Sequence, residues 1–380
     1  MPAPAAILDA HARQLAALSA RNRLRGLAPR RGRDFASNDY LGLASSPRLA
    51  GAIEAALGRG VAIGSGGSRL LRGNDPEHEA LEAEAAAFFG SETALYFSSG
   101  YAANGALLSA LPQRGDLVVH DELVHASTHD GMRLGRADRV GVPHNDAEAF
   151  ESAIAAWRRE GGQGRPWIVV ESLYSMDGDR APLEALAQVA ERHEAFLIVD
   201  EAHAVGVFGR DGRGLAATLD GRDDAILLRT CGKALGCEGA LVCAPRVIRD
   251  FLVNRARPFI FSTAPSPLMA AAVREALRIL AEEPERRAAL HRRIAEAEAR
   301  LSPHGARPTG SQILPLILRD DARTMAAAGA LQAQGFDVRG VRPPTVPVGT
   351  SRLRLSITLN VETADLDALA GALEQALAPA

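Results

Sequence analysis

Between residues 51 and 285 short apolar runs alternate with helix-length amphipathic stretches, and this alternation limits the possible folds more than any other feature. Strands are expected at 94–97, 117–120, 167–171, 196–200, 225–230 and 240–243, and helices at 76–89, 101–111 and 182–193. The first and last of these helices open on proline, whose missing N–H costs nothing where a helix start leaves that donor unused. Apolar strands separated by helices imply an α/β fold, with a mostly parallel sheet covered on both faces. Three regions are expected: 1–50 as an N-terminal helix and irregular arm, 51–285 as the large domain, and 286–380 as a small α+β domain. A long Arg/Ala/Glu helix from Pro284 to about Leu301 leads into the last of these. It is expected to continue as strand 313–318, helix 322–334, strands 336–341 and 352–358, and helix 363–377.

Several classes are excluded by composition. A net charge of −3 on 380 residues gives no reason to expect nucleic acid or an anionic membrane as a partner. No apolar run nears the roughly 18 residues of a membrane span. Residues 1–18 lack the basic head and continuous apolar run of a signal peptide, so a cytoplasmic protein is expected. Cys231, Cys237 and Cys243 form no C-x-x-C pair and have no histidine at zinc spacing, so buried thiols in a reducing compartment and no metal are expected.

The basic residues are unusual. Lys and Arg total 43, yet Lys233 is the only lysine. A guanidinium serves ion pairs and phosphate clamps, but near neutral pH it cannot lose a proton and attack a carbonyl. A desolvated amine can.

The surroundings of Lys233 fit that chemistry. Residues 196–200 form an apolar run ending in Asp200, followed by Glu201, Ala202 and His203. A carboxylate at the carboxyl end of a parallel strand faces the crevice where α/β sheets bind ligands, and it can keep a pyridine nitrogen protonated. His203 could then donate to a phenolic oxygen on the same ring. Residues 225–236 repeat the arrangement: a strand ends in Thr230, a possible phosphate ligand, three residues before Lys233. Together these motifs point to pyridoxal 5'-phosphate. Ser98-Ser99-Gly100-Tyr101, between a strand and a helix, offers backbone N–H groups and a positive helix end to the phosphate. His125 is a candidate to stack on the ring. Arg352 and Arg354 are expected to point to opposite faces of a strand, so that only one of them enters a cleft, where a bidentate guanidinium suits an amino-acid carboxylate. Two other anion motifs fail. Gly64-Ser65-Gly66 is followed by Arg69 where a dinucleotide fold needs glycine, and Gly232-Lys233 lacks both the first glycine and the hydroxyl of a P-loop.

On these residues the chain resembles the α-oxoamine synthases, fold-type I pyridoxal-phosphate enzymes, along nearly its whole length. The resemblance is carried by residues 37–43, 64–69, 73–78, 125–127, 175–179, 200–203, 230–236 and 261–263. Residues 342–354 and His144-Asn145-Asp146 are most similar to the biotin-pathway member. The resemblance implies a decarboxylating condensation of L-alanine with pimeloyl-CoA or a pimeloyl-carrier protein. It also implies a homodimer with active sites at the interface. By position, Lys233 would form the Schiff base, His125 stack on the ring and Asp200 pair with its nitrogen. Ser175, His203, Gly100, Tyr101 and Thr230 would contact the coenzyme, with Thr263 supplied by the neighbouring subunit. Arg354 would hold the alanine carboxylate, Asn38 and Thr345 would line the substrate site, and Arg25 or Arg23 would meet the acyl group. The alternatives are a family member using glycine and acetyl-CoA, an aminotransferase on the same fold, and a non-catalytic coenzyme-binding protein.

Overall fold

The computed structural model describes residues 4–378. The chain divides into two compact units. One comprises Asn38–Ser175 and Asp179–Ala289; the other comprises the chain up to Ser37, residues 176–178 and everything from Leu290 onward.

The larger unit is built on a seven-stranded sheet: β1 (Thr93–Phe97), β2 (Leu117–Asp121), β3 (Asp138–Val142), β4 (Pro166–Glu171), β5 (Phe196–Asp200), β6 (Ala225–Thr230) and β7 (Ala240–Ala244). Its order is β1-β7-β6-β5-β4-β2-β3. Strands β2 to β6 run parallel, and β7 pairs antiparallel with both β6 and β1. Neighbouring residues of the central strands enter opposite cores, because side chains alternate across a pleat. Trp167, Val169, Ile198, Ile226 and Leu228 pack on one face, and Ile168, Val170, Leu197, Val199 and Leu227 on the other. Each such buried aliphatic side chain contributes about 1.5–3 kcal/mol. This two-sided burial is why the central strands read as continuous apolar runs.

Edge strand β3 is absent from the expected strands. Four of its five residues are exposed and only Val142 is buried, so it carries no apolar run to detect. Helix Pro76–Phe89 has the expected bounds for local reasons. The Asp75 carboxylate accepts the Glu77 N–H, Pro76 opens the first turn, and Gly90 closes the helix at φ 77°, where a side chain would be strained.

Among the described residues, one arginine of this unit is fully enclosed. Arg229 of β6 donates to Asp220 at 2.7 Å and lies over the Phe89 ring at 4.1 Å.

The smaller unit holds an antiparallel sheet of β8 (Ile313–Arg319), β9 (Arg339–Val341) and β10 (Ser351–Ser356), in the order β9-β10-β8. Here one expectation is corrected. Arg352 and Arg354 are two positions apart on β10, so they share one face of the strand, and both are buried. Arg352 donates to the Asp177 carboxylate at 2.6 Å and the Met176 carbonyl at 3.1 Å. Arg354 donates to Ser356 Oγ at 2.6 Å. Their different partners, not opposite faces, separate their roles. No helix among the described residues is long and apolar enough to cross a membrane.

Candidate active site

Three of the parallel strands end in chemistry-bearing residues: β4 in Glu171, β5 in Asp200 and β6 in Thr230. Ligands of open α/β sheets gather at these carboxyl ends. Two hydrogen-bonded chains converge there.

The first begins at Lys233, three residues beyond β6. Its Nζ lies 2.8 Å from His203 Nε2, and His203 Nδ1 lies 2.7 Å from Tyr40 Oη. The Tyr40 hydroxyl donates to Asn38 Oδ1 at 3.0 Å. A hydroxyl has one proton to give. With it directed at Asn38, the ring proton of His203 sits on Nδ1 and points at the Tyr40 oxygen. Nε2 is then left as the acceptor for the lysine amine.

The second chain begins at Asp200. One carboxylate oxygen accepts the Asn104 side-chain N–H at 2.8 Å and the other accepts the Ala202 backbone N–H at 2.9 Å. Asn104 also donates to Ser127 Oγ at 3.0 Å, and Ser127 Oγ lies 2.8 Å from His125 Nδ1. His125 Nδ1 accepts the Ser127 backbone N–H as well, so His125 caps helix Ala126–Leu134 while the residue stays exposed.

Glu171 lies beside both chains and is almost fully buried. Burial, reinforced by the nearby Asp200 charge, pushes its carboxyl up to about 8; Lys233 and the backbone N–H groups of Ser175 and His125 work the other way. The fields of Asp200 and Lys233 both reach Glu171 and His125, so the two chains share one locality.

Gly100 lies close to Thr230. A Cβ built on Gly100 would sit 3.8 Å from Thr230 Oγ1, at the start of helix Gly100–Ala110, whose first turn is capped by Ser99. Tyr101 points elsewhere: its side chain is exposed and its hydroxyl donates to Asp130. Any part it takes beside Thr230 is through its backbone. Thr263 is exposed on the same unit.

The remaining candidates are in the smaller unit. Arg25 Nη2 donates to Thr345 Oγ1 at 3.1 Å. Arg25 lines a pocket of about 570 Å³ whose walls include Leu15, Leu18, Val346 and Val348. Arg23 is committed to Asp321 at 2.7 Å.

Sequence reasoning missed Glu171, Asn104 and Tyr40 as parts of this cluster. Glu171 had a usable signal, an acid closing an apolar strand just as Asp200 does.

The sequence profile of the aminotransferase class I and II family matches residues 32–373. The 8-amino-7-oxononanoate synthase of Anaeromyxobacter dehalogenans strain 2CP-1 is 45% identical over 348 residues, covering 90% of this chain and 86% of the relative. That of Chromobacterium violaceum is 46% identical over 339 residues, covering 88% and 86%. The chain belongs to the 8-amino-7-oxononanoate synthase family. The fold-type I architecture of that family is shared by a serine palmitoyltransferase variant from S. paucimobilis, solved with a bound PLP–myriocin aldimine. It superposes with a TM-score of 0.88 at 27% identity, covering 98% of each chain. An 8-amino-7-oxononanoate synthase from Francisella tularensis superposes with a TM-score of 0.76 at 27% identity, covering 90% of this chain and 97% of the other.

Proposed function

We propose that the chain condenses L-alanine with a pimeloyl thioester to give 8-amino-7-oxononanoate, CO2 and free thiol, with pyridoxal 5'-phosphate as coenzyme. The observation that carries the reading is the lone lysine amine held by His203 in the same cluster as a strand-end carboxylate, in a chain 45% identical to synthases of this name.

The donor set fits the coenzyme. Lys233 supplies an amine for the aldehyde carbon, Asp200 a carboxylate for the ring nitrogen, and His125 an exposed ring for stacking. Gly100, in van der Waals reach of Thr230, brings the Thr230 hydroxyl and the N–H groups of a helix start together for a phosphate. His203 and Ser175 are assigned further polar contacts. Bound there, pyridoxal phosphate supplies an electron sink for negative charge at the amino acid's α-carbon.

The chain's own residues do the rest. Asp200, fixed by Asn104 and Ala202, keeps the ring nitrogen charged. The Lys233 amine would remove the α-proton of bound alanine, which requires a neutral amine; the cationic ring of the coenzyme would favour that form. A carbon–carbon bond forms between the alanine α-carbon and the thioester carbonyl as the carbon–sulfur bond breaks. The carboxylate that came from alanine then leaves as CO2, and a proton returns to that carbon. In the smaller unit, Arg354 is assigned the alanine carboxylate, and Arg25 with Thr345 the acyl substrate, while Arg23 is already spent on Asp321. Asn38 is assigned a substrate contact, and Thr263 is assigned to the site of the second subunit of a cytoplasmic homodimer.

Purified chain loaded with pyridoxal phosphate should change its visible spectrum with L-alanine and release thiol from pimeloyl-CoA, with the amino-ketone product seen by mass spectrometry. A spectral response to glycine alone, with thiol released from acetyl-CoA, would replace this reading with the glycine-using one.

A further inference from the structure

His144 lies in the turn after β3 and belongs to neither hydrogen-bonded chain of the cluster. Its Nδ1 is 3.0 Å from both carboxylate oxygens of Asp121, and its Nε2 is 2.9 Å from Asp179 Oδ2. An ionised carboxylate only accepts, so a ring facing one on each side must donate from both nitrogens and is therefore an imidazolium. The Tyr174 ring packs edge-on against it at 4.4 Å. Asn145 follows the same pattern, its backbone N–H going to Asp121 at 2.8 Å and its side chain to Asp179 at 3.3 Å.

What these two carboxylates hold gives the histidine its meaning. Asp121, fully buried at the end of β2, also accepts the Leu123 N–H at 2.8 Å, which shapes the turn leading into His125. Asp179 pairs through its backbone with Tyr174, whose N–H donates to the Asp179 carbonyl at 2.9 Å, and Ser175 is the next residue. Two neighbouring strand-end loops, one delivering His125 and one delivering Ser175, are thus tied to a single cation.

We infer that His144 is a positioning residue, a bolt that holds the His125 loop and the Ser175 loop in place for the coenzyme. It touches neither coenzyme nor substrate itself. The inference rests on the coenzyme reading above and adds to it a residue that sets where two of the contacts stand.

The two ring nitrogens can be replaced one at a time. His144→Asn keeps a donor near the position of Nδ1, facing Asp121; His144→Gln keeps one near Nε2, facing Asp179; His144→Ala keeps neither. Amide hydrogen exchange on the coenzyme-free chain reads the loops directly. His144→Ala should speed exchange at least tenfold at both 122–127 and 173–179, His144→Asn should protect mainly the first segment, and His144→Gln mainly the second. With pyridoxal phosphate as probe, His144→Ala should raise the dissociation constant at least tenfold and weaken the visible circular dichroism of the bound coenzyme. Parent-like exchange in both loops of His144→Ala overturns the inference. If His144→Ala does not fold, equal loss of protection in both loops of both amide variants overturns it instead. A parent chain that fails to bind pyridoxal phosphate sinks the functional reading, while the exchange pattern still decides the role of His144.

Discussion

Replacing Tyr40 with phenylalanine removes one oxygen and leaves the packing volume almost unchanged, so it isolates a single hydrogen-bonding link. Tyr40 is fully buried, and its oxygen sits between Asn38 and the Nδ1 of His203. Without it the His203 Nδ1–H loses that acceptor in a place water does not readily reach, at a cost of about 1–3 kcal/mol. The tautomer that leaves Nε2 open to Lys233 loses its support by the same amount. At 1.36 kcal/mol per decade this corresponds to roughly a 5- to 150-fold fall in kcat if the orientation of the amine governs the proton transfer. Urea unfolding of the coenzyme-free chain should show the stability loss, and thiol release from pimeloyl-CoA should show the rate loss. A Tyr40→Phe chain that loses less than ~0.5 kcal/mol and turns over within about twofold of the parent would refute the proposed direction of the Lys233–His203–Tyr40 chain.

Other substitutions test the rest of the cluster. Lys233→Arg keeps the charge but not a nucleophilic amine, so it should abolish product formation and covalent attachment of the coenzyme, trapped by borohydride and read by mass spectrometry, while the melting temperature of the coenzyme-free chain barely moves. Asn104→Leu removes a neutral donor from the buried Asp200 carboxylate and should cost about 1.5–3 kcal/mol in urea unfolding, with weaker coenzyme binding by titration. Glu171 predicts a pH effect. With its carboxyl raised from 4.5 to about 8 by burial and by Asp200, the folded chain holds a proton that the unfolded chain has already lost. Its contribution to stability is therefore fully present below pH 4.5 and is lost as the pH rises toward 8. Glu171→Gln should flatten that decline in denaturant melts across the same window, and an unchanged slope would contradict it.

The features legible in the sequence were those encoded locally. Asp200 and Thr230 stood out because each closes an apolar run, and the lone Lys233 because amine chemistry has no arginine substitute. The helix at 76–89 was readable to the residue because its cap, its proline and its closing glycine are all neighbours in sequence. Strand β3 was hidden because an exposed edge strand needs no apolar pattern. Asn104 and Tyr40 were hidden for a different reason: their partners are 96 and 163 residues away, and neither residue type announces which distant group it will meet. Arg352 and Arg354 show that the strand could be recognised while the separate fates of its two guanidinium groups depended on Asp177 and Ser356.

The enclosed Arg229 also has a consequence for the lysine. It immediately precedes Thr230, and successive strand residues face opposite ways, so sliding β6 by a single position would turn the guanidinium away from Asp220 and Phe89 and press the threonine into its place. Only one alignment of that strand gives the buried cation its counter-ion. The same alignment fixes, three residues downstream, where the amine of Lys233 emerges.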